Sequence, residues 1–265
     1  MRVRPIKTHK ITKDRDLYAI LDSYLTSLEE RSVLAITSKI VSICQGRVVK
    51  VEDADKQALI EREADCFLPP SISKYRVSLT IKDNLLIPMA GIDESNGNGY
   101  YVLWPLDLQK TVNQVRAYLR KRFVRRQVGV IITDSKTTPL RWGVTGVALA
   151  HSGFLALNDY IGKADVFGRL LQMTKVNVAD ALAAAAVLVM GEGNEQTPLA
   201  VISEVPFVTF QERDPPAEEL RQLRIDMEDD LYAPLLESVE WIQGLKRNKD
   251  DWREEWIANA NPGIV

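Results

Sequence analysis

Apolar positions along the chain fall into a few periodic stretches. In residues 14–30, Leu17, Ile20, Leu21, Tyr24, Leu25 and Leu28 recur at three- and four-residue spacing, which predicts one face of an amphipathic helix. The continuous run SVLAIT (32–37) predicts a buried strand, and SKIVSICQG turns off it toward Gly46, a natural helix stop. Residues 54–68 predict a second amphipathic helix ended by Pro69-Pro70, and 76–91 predict two strands joined at Asp83-Asn84. Leu108, Val112, Val115 and Leu119 line one side of a helix over 107–126. Its other faces carry Lys110, Arg116, Arg120, Lys121, Arg122, Arg125 and Arg126, read as a solvated basic face and not as a nucleic-acid surface. QVGVIITDS predicts a β-branched strand, 177–191 a long small-residue helix stopping at Gly191, and PLAVISEV a further strand. After ERDPP (212–216) the chain turns acidic and Trp-containing, with a helical pattern over 217–260. Strands and helices do not alternate strictly, so the pattern predicts an α+β fold with a mixed sheet. The main domain is expected over 1–212 and a C-terminal helical extension over 213–265.

Composition narrows the function classes. A net charge of −2 gives no global attraction to nucleic acid or an anionic membrane. No apolar run reaches the roughly 20 residues that span a bilayer. The basic N-terminus MRVRPIKTHK has no apolar stretch behind it, so no secretory signal is expected. Cys44 and Cys66 stand apart in sequence, which argues against a disulfide framework or thiolate metal site, and a cytoplasmic protein is expected. With only His9 and His151, a histidine zinc site is not expected either. Neither a P-loop, a dinucleotide fingerprint nor a nucleophile elbow occurs.

Two acids share one context: Asp93 follows LLIPMAGI and Asp134 follows VGVIIT, each at the end of an expected strand. Sites are commonly built on loops held there by a rigid sheet. Ser95 and Asn96 follow the first, and Thr133 and Ser135 flank the second. Mg2+ and Mn2+ favour a few carboxylate and hydroxyl oxygens with positions left open for phosphate. Glu192, just past the small-residue helix, is a third acidic candidate. For either Asp taken alone the turn-capping reading leads, since Asp and Asn favour turns. Ser38, Lys39 and Ser42 follow SVLAIT, where a helix N-terminus and a Lys suit an anion, or where a capped, solvated turn would do. Arg141, close to Gly143, could clamp a phosphate or carboxylate bidentately, or sit in water.

Taken together, TSKIVSICQGRVV (37–49), AGIDESN (90–96), IITDS (131–135), PLRWGVTGVALA (139–150), DYIGKADVFGR (159–169) and VADALAAAAVLVMGEGNEQTPLAVI (178–202) resemble the coenzyme F-420 gamma-glutamyl ligase family. The resemblance covers about Val3 to Val208, and TDSKTTPLRWG and DVFGR are most similar to a bacterial branch labelled folate metabolism gamma-glutamate ligase. It implies an unusual α+β fold, an intertwined homodimer, GTP, two divalent metals (Mg2+ or Mn2+), and K+ as a further cation. The implied reaction joins the amine of L-glutamate to an acceptor carboxylate through an acyl phosphate.

Carried over by motif, Asp93, Asp134, Ser135 and Glu192 are the implied metal-binding residues, with Glu192 where the family often has Gln. Pro5, Ile6, Lys7, Thr8, Ser38, Lys39, Asn96, Met190 and Gly191 fall in the segments implied to touch the nucleotide. Asp93, Asp134 and Arg141 are the expected catalytic residues. Ile43 and Gln45 stand where many members have Lys and Glu, which removes one expected phosphate-binding charge. The expected acceptor is folate-like, or pterin-like more broadly. The alternatives are a deazaflavin, the coenzyme F-420 precursor itself, and a non-catalytic nucleotide-binding member. No nucleic-acid or membrane partner is expected.

Overall fold

A computed structural model describes residues 1–12 and 15–245. In chain order the first elements are β1 (Arg2–Ile6), α1 (Leu17–Tyr24), β2 (Ser32–Thr37), α2 (Ser38–Cys44) and β3 (Val48–Lys50). Next come α3 (Lys56–Glu63), β4 (Cys66–Leu68), β5 (Leu79–Lys82), β6 (Leu85–Pro88), β7 (Tyr100–Val102), α4 (Leu108–Phe123) and β8 (Val128–Thr137). They are followed by β9 (Val144–Ser152), β10 (Leu157–Asp159), β11 (Lys175–Asn177), α5 (Val178–Met190) and β12 (Leu199–Ser203). The last are α6 (Ala217–Gln222), α7 (Ala233–Leu236) and β13 (Ile242–Gln243). This is the expected α+β class with a mixed sheet. Two compact units form: Met1–Arg47 with Pro105–Ile225, and Val48–Trp104 with the residues that follow Ile225. No helix among the described residues is long and apolar enough to cross a membrane.

The first unit is built on a five-stranded sheet in the order β1-β12-β2-β8-β9. Only β2 and β8 run parallel; every other pair is antiparallel. Leu34, Ile36, Val130 and Ile132 face one side and pack with α1, α2 and α4. Val33, Ala35, Ile131 and Ala200 face the other and pack with α5. Both faces are covered, so SVLAIT reads as an unbroken apolar run instead of an alternating one. Each fully buried Leu or Ile there contributes about 1.5–3 kcal/mol. Asp16 caps α1 by accepting from the Ala19 N–H, and Asn177 caps α5 by accepting from the Asp180 N–H.

The basic face of α4 differs from its expected solvated state. Arg116 is 2% exposed. Its guanidinium donates to the Val128 carbonyl at 3.1 Å, the Gln211 carbonyl at 2.8 Å and Asp214 Oδ1 at 2.8 Å. Arg120 donates to the Glu212 carbonyl, Arg122 to those of Leu21 and Asp22, and Arg125 to that of Leu28. These arginines tie chain segments together by satisfying backbone carbonyls, a pairing that no local pattern reveals.

In the second unit, β4, β5, β6 and β13 form an antiparallel sheet in the order β13-β4-β5-β6, and β3 pairs with β7. Asp83 and Asn84 both have positive φ, 47° and 66°, the backbone of a two-residue hairpin turn. The helix expected over 54–68 stops at Glu63, and Cys66–Leu68 is a strand paired with β5. Phe67 and Leu68 prolong the helical apolar spacing, but ladder pairing across the sheet outweighs it. After residue 216 the described chain holds two short helices, and Ile242–Gln243 pairs with β4. The continuous helical pattern over 217–260 is therefore broken where it is described. Trp241 donates to the Leu236 carbonyl at 2.7 Å, whereas Trp252 and Trp256 lie outside the described residues.

Two stability predictions follow from the first unit. Gly153 has φ +85°, and a Cβ there would lie 2.2 Å from the Val128 carbonyl oxygen and 2.4 Å from Arg116 Nε. Gly143 has φ +93° with open space around it. In urea unfolding, Gly153→Ala is expected to lose about 3 kcal/mol or more, and Gly143→Ala about 1 kcal/mol. His151, 1% exposed on β9, is pulled by burial down to about 4, against a smaller opposing pull from Glu219. Its folded pKa lies below the unfolded one, so the unfolded chain binds more protons between those values and stability falls as pH falls. Lowering pH from 7 to 5 is expected to remove about 2 kcal/mol through this group. His151→Asn should flatten that slope in unfolding curves taken at both pH values.

Candidate functional site

One end of the first unit's sheet gathers most of the candidate residues. The register aligns Ile6 with Leu199, Leu199 with Ile36, and Ile36 with Ile132. Parallel pairing carries β2 and β8 to Thr37↔Thr133, so the residues after those two, Ser38 and Asp134, emerge side by side. The Ser38 hydroxyl, 6% exposed, donates to Asp134 Oδ2 at 2.8 Å. The Ser135 N–H donates to Asp134 Oδ1 at 2.8 Å, and the Ser135 hydroxyl donates to Glu192 Oε2 at 3.3 Å. Ser38, Asp134, Ser135 and Glu192 thus form one chain, in which two hydroxyls and one backbone N–H donate to the two carboxylates.

The other expected contacts border it. Pro5 and Ile6 pair with Ala200 and Leu199, and the Thr8 N–H donates to the Gln196 carbonyl at 2.8 Å, so Pro5, Ile6, Lys7 and Thr8 flank the same end. Thr8 is buried and Lys7 exposed. Met190 is buried, its carbonyl accepts from the Thr197 hydroxyl, and Gly191 caps α5 with φ 77°. Lys39 is partly exposed in the first turn of α2, which has only seven residues; Ser42 of the same helix is buried.

Gln196 and Thr197 were not singled out from sequence. The contact of Gln196 with Thr8 comes from the pairing of β1 with β12, which leaves no local signal, while Thr197 donates to Met190 across the turn that follows α5. Gln45, at a position where a charge is common, accepts from the Leu106 N–H at 2.8 Å and donates to its carbonyl at 3.0 Å. Ile43 is buried. Both departures from the family pattern are thus used in packing.

Asp93 and Asn96 belong to the second unit. Asp93 pairs with Val102 through two backbone hydrogen bonds, at 3.1 and 2.7 Å. Its carboxylate accepts from the Ser95 N–H at 2.7 Å and the Ser95 hydroxyl at 2.8 Å. Asn96 is exposed with φ 56°. Glu94, to which no role was given, lies 3.8 Å from Lys56 Nζ. A Cβ on Gly91 would lie 2.4 Å from the Trp104 ring, and one on Gly97 2.1 Å from the Tyr100 carbonyl. Those close approaches account for two of the glycines in this loop.

Arg141 is exposed in the turn between β8 and β9. Three further register pairs, Ser135↔Gly146 through Thr137↔Val144, separate that turn from Asp134↔Val147. At the usual rise the separation is roughly 10 Å. The first unit therefore does not bring Arg141 against Asp134 or Glu192.

The donor chemistry of Asp134, Ser135 and Glu192 is all oxygen, which suits a hard divalent cation. No group of three or more His, Cys, Asp or Glu is preassembled among the described residues. Two carboxylates with hydroxyls fit a cation that keeps positions for water and phosphate, as Mg2+ does.

Residues 5–204 match the family described as F420-0:gamma-glutamyl ligase. The chain is 33% identical over 217 residues to the coenzyme F420:L-glutamate ligase of Methanopyrus kandleri, covering 76% of this chain and 86% of that protein. It is 32% identical over 218 residues to the enzyme of that name from Archaeoglobus fulgidus, covering 76% and 87%. It is 40% identical over 200 residues to one from Methanococcus maripaludis, covering 70% and 80%.

Proposed function

The chain belongs to the F420-0:gamma-glutamyl ligase family and is an enzyme of the ligase class, and from that premise we propose that it joins L-glutamate to the carboxylate of a deazaflavin precursor. What supports this acceptor is the name shared by the three relatives, each a coenzyme F420:L-glutamate ligase. It replaces the folate-like acceptor that TDSKTTPLRWG and DVFGR suggested. The family match ends at residue 204, so the catalytic part is taken as 1–212 and the remainder as an appended segment.

A carboxylate is a poor electrophile, so amide formation in water needs activation. The acceptor carboxylate oxygen bonds to the γ-phosphorus of GTP as the bridging bond to the β-phosphate breaks, giving an acyl phosphate and GDP. The glutamate amine then attacks the acyl carbon, loses a proton and displaces phosphate. This chemistry asks the protein mainly for alignment and charge compensation. A bound Mg2+ or Mn2+ supplies charge neutralisation along the phosphates.

The observation that carries the reading is the Ser38–Asp134 and Ser135–Glu192 chain at the end of the parallel strands. Asp134, Ser135 and Glu192 are the first unit's metal-binding groups, and Ser38 and the Ser135 N–H orient the Asp134 carboxylate. Asp93 serves as a further metal ligand and Asn96 as a nucleotide contact. Pro5 to Thr8, Lys39, Met190 and Gly191 border the nucleotide, and K+ is a further cation. Leu140, Trp142, Val166, Phe167 and Met173 are all more than four-fifths exposed, which supports the homodimer; Arg141 then acts from the turn that carries Leu140 and Trp142. The thiol of Cys44, outside any disulfide, supports a cytoplasmic location.

The protein incubated with L-glutamate, Mn2+ and GTP or ATP should convert a deazaflavin precursor, and not pteroate or folate, to a product one glutamate residue heavier by mass spectrometry. Glutamylation of folates alone would overturn the acceptor, and no product with any acceptor would overturn the reaction. Asp134→Ala and Asp93→Ala should each lower kcat by at least roughly 100-fold with the unfolding midpoint retained. Near-parental turnover in both would refute the assignment. A monomer in analytical ultracentrifugation at micromolar concentration would rule out the dimer.

A further inference from the structure

Strand β9 carries one extra residue just before the Asp134 pair. Ile132 pairs with Ala150, but Thr133 pairs with Ala148, so Leu149 is bulged. Bulges beside active sites re-aim side chains. Here the bulge flips the alternation of β9: Ala150 packs with the α1 and α4 side, whereas Ala148, two residues away, packs with α5.

Gly146 comes opposite Ser135 as a result, and Val147 opposite Asp134. A Cβ on Gly146 would lie 2.4 Å from the Ala183 carbonyl oxygen and 2.9 Å from the Ala184 Cα of α5. Without the extra residue, Val147 would come opposite Ser135, at the place where the backbone of α5 leaves no room for a side chain. β8 keeps its own alternation, Ser135 facing Glu192 on the α5 side and Asp134 facing Ser38 on the other, and the bulge lets β9 stay paired beside both without driving a side chain into α5.

One side chain holds the bulge from outside the sheet. The Ala148 N–H donates to Asp180 Oδ1 at 2.8 Å. Asp180 Oδ2 accepts from Asn177 Nδ2 at 2.7 Å, and the Asp180 N–H donates to Asn177 Oδ1 at 3.0 Å. Both carboxylate oxygens are thereby directed, and the capping of α5 itself falls to Asn177, not to Asp180.

We propose that Asp180 is a positioning residue for the ligase reaction: by accepting from the Ala148 amide it pins the β9 bulge, and so holds β9 in the register that keeps the β8 backbone at Asp134 and Ser135 in place. The proposal rests on the reading of Asp134 as a metal-binding carboxylate. Small misplacements of such a group are costly to rate, about 100-fold for roughly 1 Å.

The test compares four variants with the parent in steady-state assays with GTP, L-glutamate, Mn2+ and the deazaflavin precursor. Asp180→Ala should lower kcat at least about 10-fold and raise the Mn2+ concentration for half activity several-fold, with the glutamate KM little changed. Asp180→Glu keeps the charge at the helix start but shifts the carboxylate by one methylene, so it should show the same losses if Asp180→Ala does not fold. Asp180→Asn keeps an oxygen toward Ala148 and should stay within about 3-fold of the parent, the rescue expected of an acceptor. Asn177→Ala removes the cap and one of the bonds that direct Asp180, so it should lower the unfolding midpoint and lower kcat by less than Asp180→Ala does. Parental kcat and Mn2+ dependence in both Asp180→Ala and Asp180→Glu, with Asp134→Ala inactive, would overturn the proposal. An active Asp134→Ala would instead overturn the metal-binding reading on which it rests.

Discussion

The parallel pairing of β2 with β8 is the constraint on which the first unit depends. An antiparallel neighbour can be reached through a short turn, but a parallel one needs a long crossover. In this chain the crossover runs from Ser38 to Gln127 and includes α2, the whole of Val48–Trp104, and α4. Parallel alignment makes two strands finish at the same end of the sheet, and in open α/β sheets ligands gather outside such carboxyl ends. Ser38 and Asp134, 96 positions apart, are hydrogen-bonded there because the Thr37↔Thr133 register leaves them no other place. The antiparallel neighbours β12 and β1 bring Gln196, Thr8 and the PIKT segment to that end through the same row of pairs.

The closing of the fold around this sheet uses charge where composition suggested solvent. Arg116 is buried beside Gly153, whose missing side chain leaves room for the guanidinium. Burial pulls the Arg116 pKa down, and the hydrogen bond it donates to Asp214 opposes that shift without reversing it. Arg116 is buried while Asp214 is half exposed, so loss of Asp214 would leave the buried guanidinium to the Val128 and Gln211 carbonyls. Ser152 also donates to Asp214 Oδ1, and Phe154 bridges Phe210, so residues 208–214 are fastened along the end of β9.

What was legible in the sequence was local. SVLAIT declared its two covered faces, Asp83-Asn84 its hairpin, and Gly191 the end of α5, because each signal lies within a few residues of its effect. Over 54–68 the same kind of signal misled, since Phe67 and Leu68 fit a helical face and a strand equally and only the β5 ladder decides. The two acids at strand ends could be named, and so could Glu192, but nothing in the sequence could show that Ser135 links Asp134 to Glu192. The bulge at Leu149 was illegible for the same reason: it exists because α5 leaves no room opposite Ser135, a fact of packing between elements far apart in the chain. Asp180 lies in the first turn of the small-residue helix expected over 177–191, where an acid is ordinary and signals no partner. Its second hydrogen bond reaches a strand more than 30 residues earlier.

For Asp93 the turn-capping and site readings do not compete, and for Asp134 the strand that holds it leaves no turn to cap. Asp93 accepts twice from Ser95, which is the behaviour of a turn-forming Asp, whereas Asp134 lies inside β8 opposite Val147 and caps no turn. An ionised carboxylate, however, offers about four acceptor positions on two oxygens. Donors that use some of them fix the plane of the group and leave the rest directed. A ligand that is already oriented loses less conformational freedom when a cation arrives, which is why the partners behind metal-binding groups matter nearly as much as the groups themselves. The bonds from Ser95 that make Asp93 a turn-former, and those from Ser38 and the Ser135 N–H on Asp134, are the ones that suit each carboxylate to a cation.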